Sequence, residues 1–393
     1  MRSGLFVSFL LLSCFAFAQT KVQTWYDDAK KIKKEVYYAK TVDGKTVNDG
    51  LYQIYYENGK LWQSGNCKNG DLVGLWKVYF NDGTLKQSLN YKEGKRNGLS
   101  EYYYPNGKIN QRASYLNDEF DGEVKNYHEN GLLMESLTYK NTMLNGMSMG
   151  YFEDGKLQFK RNYVNNVPSG YGETYYENGK ICERGYKKNN VYDSLFIGYY
   201  KNGDDGAKET VCYYSNGKLN GAFTGYYPEG AVLLKCNYIN DLIEGKYEEF
   251  YEDGKIKETG TYVNSKKNSL WTDYFPNGSV KIEGHYKDDK YDGEWKIFGE
   301  NGNMRQRGIY IEGLAQGEWN FFQDNGSLLK TGKFKDDVKE GKWKEYYPSG
   351  ALKIDNNYVN GMYHGIQKAF DQTGKVIEEE EYKNGELVKK KDN

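Results

Sequence analysis

Glycine recurs every 24 residues along this chain. It stands at Gly59, Gly83, Gly107, Gly131, Gly155, Gly179 and Gly203, then at Gly230, Gly254, Gly278, Gly302, Gly326, Gly350 and Gly374; only the step from 203 to 230 departs, by three residues. A fixed period of this length marks a repeat architecture, in which each unit buries its apolar surface only against its neighbours. Other columns keep the same period. Four residues before the glycine stands an aromatic in every unit, among them Tyr55, Tyr79, Tyr103, Phe250 and Phe322. Eight residues after it stands Tyr in most units, as in Tyr91, Tyr115, Tyr262 and Tyr358. Nine residues before it stands a second glycine, replaced only by Ser194 and Ser269, and Trp follows two residues later at Trp76, Trp271, Trp295, Trp319 and Trp343.

Such a unit reads as a β-hairpin. Asn or Asp usually precedes the tip glycine, as in Asn58-Gly59 and Asp82-Gly83, and these pairs supply the positive φ of a tight primed turn. Aromatic and β-branched flanks favour strands. A second, looser turn is expected after the late Tyr, as at Tyr91-Lys92-Glu93-Gly94. The early glycine marks a bend or a close backbone approach. Trp and the aromatic column lie three residues apart, so either both sheet faces carry aromatics or a bulge intervenes. Composition agrees: 46 Gly, 40 Tyr, 5 Pro and 16% aromatic residues suit twisted strands and turns. The fold class that follows is all-β, an elongated single-sheet meander or solenoid of 14 to 15 stacked antiparallel hairpins of 24 residues.

Around that array the organisation is read as follows. Residues 1–18 form a secretory signal, with an apolar run from Leu5 to Phe17 and an Ala16-Phe17-Ala18 cleavage site before Gln19; Leu11-Leu12-Ser13-Cys14 offers the competing pattern of a lipoprotein, with Cys14 lipidated. Residues 19–49 form a degenerate N-terminal hairpin, a cap with Ala29 in place of the tip glycine and Tyr37 in the late Tyr column. Residues 50–385 are the tandem repeats, and 386–393 a charged tail that closes the sheet edge. Gly203-Asp204-Asp205-Gly206 lengthens one tip, and counting from Gly206 restores the register. The chain is therefore expected to be exported: periplasmic, at the cell surface or secreted.

The pattern G-x-W-x-x-Y-Y-x-N-G-x-L, clearest at Gly245-Lys246-Tyr247 through Tyr251-Glu252-Asp253-Gly254-Lys255-Ile256 and at Gly341-Lys342-Trp343 through Tyr346-Tyr347-Pro348-Ser349-Gly350-Ala351-Leu352, resembles the MORN repeat. It looks most like the variant form of bacterial proteins, some of which are classed as antitoxins. The resemblance implies stacked hairpins in a grooved sheet and a binding role: a protein partner, in some members a toxin, in others an acidic lipid headgroup. Choline-binding cell-wall repeats are also aromatic hairpins, but they are shorter and carry regular Trp pairs that this chain lacks. Glycan binding stays open as an alternative.

The chemistry-bearing residues do not converge in sequence. His128, His285 and His364 sit in different units, and a triad or metal site needs grouped side chains. Acidic residues recur at the tips, as in Glu57, Asp82 and Glu153, where solvated turns explain them and a calcium ladder is the sharper alternative. Cys212 and Cys236 hold equivalent places in adjacent units. A meander puts such places about 9–10 Å apart, beyond the roughly 7 Å a disulfide bridges, so free thiols are expected. With 54 Lys+Arg against 55 Asp+Glu, no net field steers the chain to nucleic acid. No enzyme activity and no cofactor are expected. The candidate binding surface is the column of tyrosines three residues before the tip glycine: Tyr56, Tyr104, Tyr176, Tyr200, Tyr227, Tyr251 and Tyr347.

Overall fold

The computed structural model describes residues 19–204 and 206–391. The signal segment and Cys14 lie outside the described residues. The described residues form 35 β-strands and no helix. The chain divides into two compact units, Met1–Gly179 and Lys180–Asn393. Within each unit, strands that follow one another in sequence pair antiparallel, as Asp71–Tyr79 with Leu85–Lys92 in the first and Lys290–Phe298 with Met304–Ile311 in the second. The all-β meander of 24-residue hairpins is therefore the fold, but its two turn types are the reverse of the sequence expectation.

At the tips the chain makes a three-residue loop. Tyr56 N–H donates to the Lys60 carbonyl at 2.8 Å and Gly59 N–H to the Tyr56 carbonyl at 2.9 Å. Gly59 has φ +82, while Asn58 is absent from the positive-φ residues. This is a type I turn closed by a left-handed glycine in a bulge. The preceding Asn caps it: Asn58 Oδ1 accepts the Lys60 N–H at 3.0 Å. At the other end, the turn expected to be loose is the tight primed one. Glu93 and Gly94 have φ +50 and +75 between the paired residues Lys92 and Lys95. Asn165-Asn166, Asn240-Asp241 and Asp336-Asp337 do the same without glycine. Their second residue is stabilised across hairpins: Asp241 N–H donates to the Leu219 carbonyl at 2.9 Å and Asp241 Oδ1 accepts the Leu219 N–H at 2.8 Å. Asn and Asp tolerate this backbone best among side-chain-bearing residues; Thr142, β-branched at φ +64, is the outlier.

The early glycine is a bulge residue. Pairing slips between Ser64 and Asn66, so that Gly74, at φ +66, and its neighbours form an extra loop on the facing strand. The bulge does not bring Trp and the aromatic column to one side. Trp76 to Tyr79 run without interruption on their own strand, so both faces carry aromatics: Trp76 pairs with Leu89 on one face, and Lys77 with Ser88 on the other.

Both chain ends correct the sequence reading. In the first hairpin Lys30, not Ala29, has the positive φ. Ala39 pairs with Asn48 as Cys67 pairs with Leu72, so Ala39 holds the late column. Tyr37 lies two residues earlier and stacks on Tyr52 at 5.5 Å. The loop at Asp43-Gly44 is an ordinary primed turn between Val42 and Lys45. In the lengthened tip the left-handed residue is Gly206, at φ +77. The expected tail is, over Glu386–Lys391, a last strand on Val376–Lys383, with Glu380 opposite Lys390 and Glu381 opposite Lys389. Lys390 Nζ sits 2.6 Å from Glu380 Oε1, and Lys390 and then Tyr382 hold that carboxyl below the usual glutamate range. A depressed folded-state pKa contributes stability above the ordinary glutamate range that is lost as pH falls through the depressed value. Lowering pH from about 5 to about 3 should therefore free this strand first, read as earlier hydrogen exchange at Leu387 and Val388 than at Gly365–Phe370.

Candidate binding surface

One face of the hairpins is closed by aromatic packing. Trp76, Trp271, Trp295, Trp319 and Trp343 are all buried. Each lies against a glycine of the preceding hairpin, six residues past its tip. A Cβ at Gly65, Gly260, Gly284, Gly308 or Gly332 would come within 2.2 Å of the ring facing it. Late-column aromatics flank the indoles edge-on, Tyr310 at 4.9 Å and Phe334 at 5.9 Å from Trp319. Trp and glycine are both absent where Leu89 precedes Ser100 and where Ala113 pairs with Val124, and opposite Gly185 the smaller Phe196 takes the place of the indole. The core is this alternation of large and small side chains between successive hairpins.

The opposite face is open. In the first unit the residue after the early glycine is apolar in five of six hairpins: Leu51, Leu75, Leu99, Met147 and Tyr171, all exposed, with Tyr171 at 65%. Glu123 is the exception. Ion pairs border this stripe, Arg112 Nε to Glu101 Oε1 at 2.8 Å and Lys160 Nζ to Glu173 Oε2 at 2.7 Å. In the second unit the same column reads Leu195, Ala222, Lys246, Leu270, Glu294, Glu318, Lys342 and Ile366, half of it apolar, so the denser apolar stripe belongs to the first unit. The column aromatics four residues before each tip tie their hydroxyls locally: Tyr103 donates to Glu101 Oε2 at 2.7 Å, and burial together with that carboxylate pushes its phenol up to about 12.

The sequence pattern described as MORN repeat variant matches twelve stretches, 48–69, 72–93, 96–117, 120–141, 144–165, 168–189, 219–240, 243–264, 267–288, 291–312, 339–360 and 363–384. The chain belongs to the MORN repeat variant family. Between the sixth and seventh stretches lie Ser194 and the lengthened tip, the irregular part of the array. No curated protein matches the chain. Among solved structures, the crystal structure of TcdB2-TccC3 without its hypervariable C-terminal region aligns at 11% identity over 89% of this chain and 23% of that one, with a TM-score of 0.15. TcdB2-TccC3 itself aligns at 12% identity over 94% and 31%, with a TM-score of 0.12. The chain thus spans less than a third of those proteins.

The MORN hairpins use the candidate tyrosines to join one unit to the next. Tyr56 Oη donates to the Tyr79 carbonyl at 2.8 Å, Tyr104 to Tyr127 at 2.7 Å, Tyr227 to Phe250 at 2.9 Å, Tyr251 to Tyr274 at 2.7 Å and Tyr347 to Phe370 at 2.8 Å; Tyr200 reaches Tyr226 across the lengthened tip at 2.7 Å. Tyr176 is half-buried like them. Tyr26 of the cap makes the same bond to the Tyr55 carbonyl at 2.9 Å. Tyr251→Phe should cost about 0.5–1.5 kcal/mol in chemical unfolding, with little change in surface.

The other sequence candidates stay apart. The three histidines remain in separate hairpins; His285 Nδ1 lies 3.3 Å from the Glu294 carbonyl and His364 Nδ1 accepts the Asn384 N–H at 3.5 Å. Among the described residues no group of three or more His, Cys, Asp or Glu is placed to hold a metal. Phe223 pairs with Cys212 on one side and Cys236 on the other, which keeps the two thiols a full strand apart from each other's reach. Both are buried, and burial pushes each thiol up to about 11. The reactive thiolate is then scarce at pH about 8. Iodoacetamide should label Cys182, which is partly exposed, well before Cys212 or Cys236, as read by peptide mass spectrometry.

Proposed function

We propose that this MORN repeat chain is a non-enzymatic, exported scaffold that holds another protein on its open sheet face. The observation that carries the reading is the exposed stripe Leu51, Leu75, Leu99, Met147 and Tyr171 with ion pairs along its border. An apolar centre with a polar rim is the anatomy of a protein interface, and aligned exposed apolar residues mark binding surfaces where scattered ones do not. The tyrosine column beside the tips contributes ring edges rather than hydroxyls, since the hydroxyls hold the neighbouring hairpins.

The test compares the wild-type chain with Leu75→Lys/Leu99→Lys/Met147→Lys in affinity capture from cells that express it. These side chains already face solvent, so the fold should survive. A protein retained in equal amount to the wild type and lost by the variant supports the reading. Equal retention by both, or none by either, contradicts it. A retained toxin whose activity the chain blocks would single out the antitoxin-like role. Export is checked separately by N-terminal sequencing of the mature protein, expected to begin at Gln19.

A further inference from the structure

The last two hairpins leave the repeat pattern at one place. In each of the four hairpins before the last an indole covers the preceding hairpin's glycine, and two of these indoles donate Nε1–H to the backbone carbonyl one residue beyond: Trp271 over Gly260 to Thr261 at 3.2 Å, and Trp343 over Gly332 to Lys333 at 3.0 Å. In the last hairpin the two positions are Gln367 and Asn356. The Gln367 carboxamide is buried and keeps the anchor. Its Nε2 donates to the Asn357 carbonyl at 3.1 Å, and its Oε1 accepts the Asn357 N–H at 2.8 Å. It is smaller than an indole, and a pocket of about 270 Å³ lies beside it.

The lining of that pocket is chemically unlike the filled slots. Tyr363 and Tyr382, ring centroids 5.3 Å apart at 46°, form an aromatic wall. Asn356 Nδ2 meets the Tyr363 hydroxyl at 3.4 Å, which leaves its carbonyl oxygen for another donor. Glu378 and Glu380 line the rim; Lys390 Nζ bridges them at 2.7 and 2.6 Å, and Tyr382 Oη donates to Glu380 at 2.9 Å. An ionised carboxylate has about four acceptor sites, so both still accept. The lining Lys368 is paired with Glu379 at 3.3 Å, so an anion meets two carboxylates here, and a cation finds its place already taken by Lys390. What fits is a neutral ring, rich in hydroxyl donors, with an apolar face to lay on tyrosine. The volume, just below the roughly 300–1,000 Å³ of ordinary ligand pockets, limits it to a single small ring.

We propose that the slot between the last two hairpins, framed by Asn356, Tyr363, Gln367, Glu378, Glu380 and Tyr382, binds one pyranose residue of a carbohydrate. This function lies beyond the protein-binding role of the open face and is independent of it. The test is saturation-transfer NMR on the full mature chain with D-glucose, D-galactose and N-acetyl-D-glucosamine at millimolar concentration, the range a ligand this small permits. Transfer to the ring protons of at least one sugar is expected. Gln367→Trp/Asn356→Gly copies the Trp343–Gly332 pair, so it should fold and fill the slot, weakening binding by about tenfold or more. Glu380→Gln should weaken binding in the same direction without filling the pocket. No transfer from the wild type to any of the three sugars, or undiminished transfer in both variants, would overturn the proposal.

Discussion

Gly308→Ala is expected to destabilise the second unit by about 2–3 kcal/mol, although it adds one methyl group. That methyl would sit 2.0 Å from Trp319 Cδ2, and Trp319 is fully enclosed. Neither indole nor backbone can yield without breaking the aromatic contacts to Tyr310 and Phe334. The same substitution should change sign in a Trp319→Val background. Trp319→Val alone leaves a cavity and should cost about 3–5 kcal/mol. Gly308→Ala/Trp319→Val copies Ala113 and Val124, which pair directly and are both buried in the first unit, so the added methyl now fills space. Chemical denaturation of the four proteins should give a coupling energy of about 2 kcal/mol or more. Additive losses would show that the large–small alternation between hairpins does not hold the core.

Gly293→Val should cost about 3 kcal/mol, more than Gly254→Val at a tip. Both glycines have positive φ, +124 and +84, and forcing a side chain there costs about 1–3 kcal/mol. At Gly254 a Cβ meets nothing within 4 Å, whereas at Gly293 it meets His285 Cβ at 3.0 Å. Strain acts alone at the tip and is joined by collision at the bulge. The chain itself accepts Ser194 and Ser269 in the bulge column at φ +93 and +63. Ser269→Gly should accordingly stabilise slightly, by less than about 1 kcal/mol. Thermal unfolding of the three variants fixes the order.

The period, the hairpins and the family were open to reading in the sequence, because side-chain columns repeat whatever the details of each turn. The turn types were not. Asn58-Gly59 and Asn240-Asp241 both fit a primed turn locally, and only the pairing register, which depends on distant residues, tells that the first closes a three-residue loop and the second a two-residue one. Tyr37 was displaced by two positions for the same reason. The role of the tyrosines before the tips depends on how far a hydroxyl reaches into the next hairpin, 2.8 Å from the Tyr79 carbonyl for Tyr56, and no column of letters encodes that distance. The glycine under each buried tryptophan had a visible signal: Gly65, Gly260, Gly284, Gly308 and Gly332 each stand eleven residues before a Trp. The pair becomes Asn356 and Gln367 in the last step, one departure among several in the chain, and only the sheet shows that Glu378, Glu380 and Tyr382 meet them in a pocket.

Residue-resolved hydrogen exchange on Gly308→Ala tests most directly the claim that each hairpin is held by its immediate neighbours. In a repeat array stability is close to a sum of unit and neighbour terms. Protection should fall in the strands Met304–Ile311 and Leu314–Phe322 and in the hairpins that adjoin them, while strands such as Leu85–Lys92 and Ile109–Leu116 keep theirs. An equal loss of protection along the whole chain would contradict it.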